Sequence, residues 1–188
     1  MQAISCHQAW QNMTRSARQG SVRNYCQLLD MADYCVETEL FPLPVLEAYT
    51  AWNLELPISE AQHQLFSNLR GGGQGDYRQG MQRKIANVVD CLSCYPASKR
   101  AVITIGNDAF AAHSDDDQAK CMRELHCYLD DDNRLSATVF FRAQAALIFP
   151  KNIHFIGSLM RTVAAQLPGQ PQLGTLFYLT TILVADRA

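Results

Sequence analysis

The stretch 121-CMRELHCYLDDDNRLSATVFFRAQAALIFPKNI-153 decides how the chain is read. Two β-rich runs, "ELHCYLD" and "LSATVFFRAQ", flank the aspartate and asparagine turn "DDDN", which predicts a hairpin. The second run ends near Arg142. Pro150, Lys151 and Asn152 then stand at the mouth of the apolar helix "NIHFIGSLMRTVAAQL", whose buried side is Ile153, Ile156, Leu159, Met160 and Val163. Cys121, at the start, is either a nucleophile held opposite an arginine or a packed thiol like most cysteines.

Outward from this core, "GTLFYLTTILVAD" is a near-continuous apolar run and reads as a buried strand. Upstream, "KRAVITIG" reads as a short strand and "MQRKIANVVDCLSCYP" as an amphipathic helix stopped by Pro96. "NDAFAAHSDDDQA" reads as a polar loop. "RGGGQGDYRQG" (70–80) holds five glycines in eleven residues and reads as a loop. It lacks the Gly-Lys-Ser/Thr end and the preceding strand of a phosphate-binding loop. Residues 1–70 read as helical. Val22, Tyr25, Leu28, Leu29, Ala32 and Val36 recur at spacings of three and four, and Ser59 is placed to cap a short helix over "ISEAQHQLFSNL". The order of elements gives one mixed α/β or α+β domain over 1–188.

Composition narrows function by exclusion. With 16 basic and 18 acidic residues the formal charge is −2, which gives no electrostatic case for polymeric nucleic acid or an anionic membrane. No apolar run reaches the ~20 residues of a membrane span. The N-terminus carries no secretory leader pattern, and seven cysteines are an odd, scattered number, so the expectation is free thiols in the cytoplasm. Cys91 and Cys94 form the only C-x2-C pair. Without a second pair no metal site is expected.

From about residue 77 the chain resembles the thymidylate synthase superfamily, which includes the deoxycytidylate and cytidylate hydroxymethylases. "IANVVDCLSCYPASKRAVITI" is similar to the family's helix, proline and double arginine entering a strand, with Lys99 and Arg100 on the arginines that reach the partner subunit's substrate phosphate. In "CMRELHCYLDDDNRLSATVFFR", Cys121 falls on the nucleophile, Ser136 on the strand serine and Arg142 on the phosphate-binding arginine. "FPKNIHFIGSLM" resembles "L-P-F-N-I", with Asn152 on the asparagine that reads the pyrimidine edge. His126 stands where the family keeps glutamine. Glu47 and Trp52 are candidates for the family's catalytic glutamate and its tryptophan.

The chain also departs from the pattern. Met122 replaces the histidine after the nucleophile, and Ala143 and Ala145 replace a serine and an aspartate. Leu183 and Ala185 fall where a histidine and a tyrosine hold the sugar.

The resemblance implies an α+β fold, a mixed sheet with flanking helices, and a homodimer packed sheet on sheet. It implies a small anionic substrate of the pyrimidine nucleotide class and methylenetetrahydrofolate as donor. The implied reaction is one-carbon transfer to the ring, begun by thiolate attack at C6. The altered residues open the way to a modified-nucleotide or natural-product substrate. A catalytically degenerate binding or partner subunit of the same fold stays an alternative, as does an unrelated α/β domain. Residue by residue, other readings also stay open. Arg142 can be a surface ion pair, His126 a core or interface histidine, and Asn152 the N-cap of its helix.

Overall fold

The computed structural model describes residues 2–65, 76–106 and 120–186. Most of the glycine-rich loop and the polar loop 107–119 lie outside the described residues. The fold is mixed α+β. A seven-stranded mixed sheet is built from β1 (Ile4–Ser5), β2 (Val22–Asp30), β3 (Val102–Thr104), β4 (Met122–Leu129), β5 (Leu135–Phe141), β6 (Gln144–Ala145) and β7 (Leu173–Val184). Its order is β1-β2-β7-β5-β4-β3, with β6 pairing alongside β7. The helices are α1 (Cys6–Ala17), α2 (Leu43–Asn53), α3 (Glu60–His63), α4 (Met81–Cys94) and α5 (Phe149–Gln166).

The hairpin forms where the sequence places it. β4 and β5 pair antiparallel from Leu129↔Leu135 to Met122↔Phe141. The turn is built by Asp130, whose carboxylate accepts the N–H groups of Asp132 and Arg134 at 3.1 and 2.9 Å and the Ser136 hydroxyl at 3.0 Å. Asn133 takes the left-handed conformation at φ 56°, which asparagine tolerates better than most residues. From β5 the chain crosses through α5 and returns as β7, parallel to β5, as a β-α-β unit requires.

The N-terminal reading needs correction. Residues 1–70 are not a helical block: Val22 to Asp30 form β2, antiparallel to β7. Residues 31–42 follow without regular helix. The physical reason is that both faces of β2 carry semi-apolar side chains. Tyr25, Cys26, Gln27 and Leu28 are all half-buried in succession, so the period of two is erased and a spacing of three to four arises by accident. The expected cap at Ser59 is present. Ser59 and Gln62 form a reciprocal capping box around a helix only four residues long.

Helices α1, α2, α4 and α5 contact one another and cover one face of the sheet. Leu125, Cys127, Val139, Phe141, Leu176 and Tyr178 point into this layer and are fully buried. The opposite face is uncovered among the described residues. Leu28, Phe177 and Thr138 lie in one row across β2, β7 and β5; Cys26, Leu179 and Phe140 lie in the next, all half-exposed. α4 starts at Gly80, which sits at φ 67°. The Glu55 carboxylate caps it by accepting the N–H groups of Gly80 and Gln82, and the Gln82 contact leads in holding that carboxyl below its ordinary range.

Gly157 on α5 shows how tightly the segment before α2 is pressed down. A Cβ there would stand 2.1 Å from the Tyr34 ring. Alanine favours helix by about 1 kcal/mol. Displacing the ring costs about 1–3 kcal/mol and also loses the contacts of Tyr34 with His154 and Arg161. Gly157→Ala is therefore expected to lower the melting temperature by about 2–6 °C, measured by scanning calorimetry. An unchanged or higher value would mean that Tyr34 does not hold this position.

Candidate functional site

The antiparallel register sets Cys121 and Arg142 side by side at one end of β4 and β5. The Arg142 N–H donates to the Cys121 carbonyl at 2.8 Å, and Arg142 Nε donates to the Lys120 carbonyl at 3.3 Å. Both residues are half-buried, and Cys121 packs against the main core.

Three buried tyrosines gather around this strand end. Tyr49 comes from α2, Tyr178 from the middle of β7, and Tyr77 from the approach to α4. The hydroxyl of Tyr49 is pushed well above its usual range by burial, then by the neighbouring Tyr77, Asp76 and Cys121. That of Tyr178 is pushed up by burial, then by Tyr77, Cys121 and Tyr25. Both phenols are thus protonated donors near Cys121 at neutral pH. Asn53 ties two of these tyrosines by their backbones: its Oδ1 accepts the Tyr77 N–H at 2.6 Å, and its Nδ2 donates to the Tyr49 carbonyl at 3.0 Å.

On the far side the polar contacts form a directional chain. Gln144 Nε2 donates to the Ala145 carbonyl at 2.5 Å, and a carbonyl at that distance admits only the amide NH2. The other end, Gln144 Oε1, must then accept. It takes the Tyr178 hydroxyl and, at 2.9 Å, Asn152 Nδ2. That in turn orients Asn152, which is 2% exposed, with one Nδ2 N–H given to Gln144 and Oδ1 as a buried acceptor that no described hydrogen bond satisfies. Beside it Lys151 is 1% exposed, its Nζ 4.6 Å from the centroid of the Tyr49 ring.

The sequence-predicted residues divide into two groups. Cys121 neighbours Tyr49 and Tyr178, Asn152 reaches Tyr178 through Gln144, and Arg142 stands beside Cys121; Asn152 is not the helix cap, since α5 begins three residues earlier at Phe149. The others lie elsewhere in the chain. Ser136 sits at the opposite end of β5, its hydroxyl donating to Asp130 and accepting the Thr175 N–H at 2.9 Å. A Cβ at Gly174 would stand 2.3 Å from that hydroxyl, so Gly174 leaves room for this lock.

His126 lies on the uncovered sheet face, Nε2 3.2 Å from the Ser98 carbonyl. Lys99 and Arg100 are exposed in the turn before β3. That turn is anchored near Cys127, about 20 Å along β4 from Cys121. Glu47 is exposed on α2, two positions and about 200° around the helix from buried Tyr49. Trp52 is half-buried under the Arg78 guanidinium at 3.8 Å. Cys91 and Cys94 lie on α4, and among the described residues no group of three metal-ligating side chains forms.

Sequence reasoning missed Gln144, Lys151, Tyr49 and Tyr178. One signal was available: a lysine and an asparagine inside the apolar run "LIFPKNIHF" have no place in a core unless they do something there. Tyr49 and Tyr178 gave none, because a tyrosine in an apolar run reads as packing. No helix among the described residues is long and apolar enough to cross a membrane. No family model matches the chain, and no curated protein matches it.

Proposed function

We propose that the protein is a divergent thymidylate synthase-like enzyme that uses Cys121 to attack C6 of a pyrimidine nucleotide or a relative of one. A one-carbon unit, from methylenetetrahydrofolate, is then transferred to C5. The observation that carries this reading is the neighbouring placement of Cys121 and Arg142 on paired strand ends, with Cys121 acting on the buried tyrosines of α2 and β7. A thiol needs a cation and hydrogen-bond donors around it to act as a nucleophile, and an anionic substrate needs the same arginine. The order of hairpin, crossover helix and closing parallel strand supports the resemblance as well.

Lys99 and Arg100 fit this reading only in a homodimer. They lie too far from Cys121 of their own protomer to share its substrate. The uncovered apolar sheet face supplies a surface for a second copy, and a two-fold axis there exchanges equivalent patches.

The test is a thermal-shift titration with uridine and cytidine monophosphates in ribo and deoxy forms. The expected result is a rise in melting temperature for one of these, lost in Arg142→Ala. An equal rise in the variant would remove Arg142 from the pocket, and no rise with any of the four would remove the pyrimidine nucleotide.

A second reading, a degenerate binding subunit of the same fold, is favoured by two observations: the Ser136 hydroxyl is already committed and Glu47 points to solvent. The two readings separate on the thiol. An enzyme's Cys121 alkylates rapidly near pH 7 and is protected by the stabilising nucleotide; a degenerate subunit's does neither.

A further inference from the structure

Lys151 is the charged group that the proposed chemistry has not yet used. It is 1% exposed, in the first turn of α5, at a position where the resembled motif carries phenylalanine. Long side chains at such depth normally carry their charge out to solvent, and this one is instead turned onto the face of Tyr49. Tyr49 is the same ring whose hydroxyl feels Cys121. Its sequence neighbour Asn152 offers a fixed acceptor through the Ala145–Gln144–Asn152 chain. One N–H of the Asn152 NH2 goes to Gln144, and its Oδ1 is the buried acceptor that a ligand ring meets. A carbonyl oxygen beside that ring N–H needs a donor of its own.

We propose that Lys151 supplies that donor and so belongs to the reaction centre. Its ammonium stabilises the Cys121 thiolate in the free protein. With ligand bound, it stabilises the oxyanion that thiolate attack leaves on the ring carbonyl. This inference rests on the pyrimidine reading for its second half only.

The step balances without a further reactant. The S–C6 bond forms, the C5=C6 pair moves through C4 onto the C4 oxygen, and that enolate oxygen is held by the ammonium. The ligand it selects has a ring N–H beside a carbonyl, an imide edge: the N–H meets Asn152 Oδ1 and the carbonyl meets Lys151. A uracil-type ring carries that edge. A cytosine-type ring presents a bare nitrogen there and does not.

Among the described residues, Lys120 and Arg142 stand at the strand ends with Cys121, Tyr49 on α2 and Tyr178 on β7 feel its charge, Tyr77, Asp76 and Tyr25 act on those phenols, and Lys151 on α5 stands over the Tyr49 ring. Lys151 is the cation among them that is buried. Replacing a buried charge by a hydrocarbon of similar length is often neutral or stabilising, so Lys151→Met should fold.

Two measurements decide. The first is alkylation of Cys121 by iodoacetamide between pH 6 and 10, read on its own peptide by mass spectrometry because the chain has seven cysteines. The midpoint should rise by about one pH unit in Lys151→Met, roughly a tenfold slower reaction at pH 7, and return in Lys151→Arg. A role confined to packing predicts the same midpoint in all three proteins, and that result overturns the inference. Should Lys151→Met fail to fold, Lys151→Gln takes its place.

The second measurement is hydrogen–deuterium exchange at C5 of uridine and deoxyuridine monophosphate in D2O, followed by NMR. Wild type should exchange one of them, and not the matching cytidine nucleotide. Lys151→Met should lose at least about a hundredfold, more than the thiol effect alone. Equal exchange in wild type and variant overturns the oxyanion role. Absence of exchange in wild type overturns the pyrimidine reading and that role together, while the alkylation series still decides whether Lys151 acts on Cys121.

Discussion

Phe177→Arg is expected to convert the protein from dimer to monomer and to abolish nucleotide-dependent stabilisation in one step. Phe177 lies at the centre of the uncovered face, paired with Leu28 on one side and Thr138 on the other. In a two-fold interface each substitution occurs twice, and an unpaired charge buried there costs about 3 kcal/mol or more per copy. Doubled, that weakens association by at least about 10^4-fold. Light scattering on the column eluate reads the mass directly. The second loss follows from the proposed dimer, in which Lys99 and Arg100, exposed about 20 Å from their own Cys121, serve the site of the other chain.

The same logic predicts complementation. Mixing Cys121→Ser chains with Lys99→Ala/Arg100→Ala chains should restore about a quarter of the wild-type activity, because half the dimers then hold one intact site of two. A wild-type monomer at tens of micromolar, or a Phe177→Arg dimer, would remove both the interface and the shared site.

The second large effect is a loss of stability in mild acid that traces to one imidazole. His154 on α5 is 7% exposed, its Nδ1 2.7 Å from the Thr50 hydroxyl, and Tyr34 packs edge-on against its ring. Burial pushes its pKa down from 6.5 to about 4. Between those values the unfolded chain holds a proton that the folded chain refuses. Stability is therefore whole above pH 6.5 and falls as the pH drops towards 4, by about 2 kcal/mol at pH 5. Urea midpoints at pH 7, 6 and 5 should show this fall in the wild type and a flatter course in His154→Gln. Parallel curves would assign the acid sensitivity to carboxylates instead. The position matters to the site, because His154 is two residues from Asn152 on the same turn of α5, and Thr50 is next to Tyr49.

The hairpin and the last crossover were readable from the chain because each is a local matter. Alternating residues on either side of an aspartate turn admit few other structures, and an 18-residue helix with one apolar side, followed by an apolar run, gives a strand-helix-strand unit. β2 was not readable. Its partner β7 is about 150 residues away, and its burial is shared between a helix-covered face and an uncovered one, so neither period survives. Cys121 and Arg142 were found by resemblance and by their positions at strand ends. Lys151 was passed over because a lysine after a proline reads as a solvated helix start.

The amino-acid order by itself determined the hairpin with its aspartate turn and the capped and proline-bounded helices, since these depend on neighbours within a few residues. Only the tertiary structure decided that Gln144, Asn152 and Lys151 face a ring of tyrosines drawn from α2 and β7, that Ser136 is locked at the other end of β5, and that Glu47 turns to solvent. The physical reason is that a side chain's burial and partners are set by which distant elements pack over it. The direction of a hydrogen-bond chain is fixed only when a backbone carbonyl, here that of Ala145, stands against one of its ends.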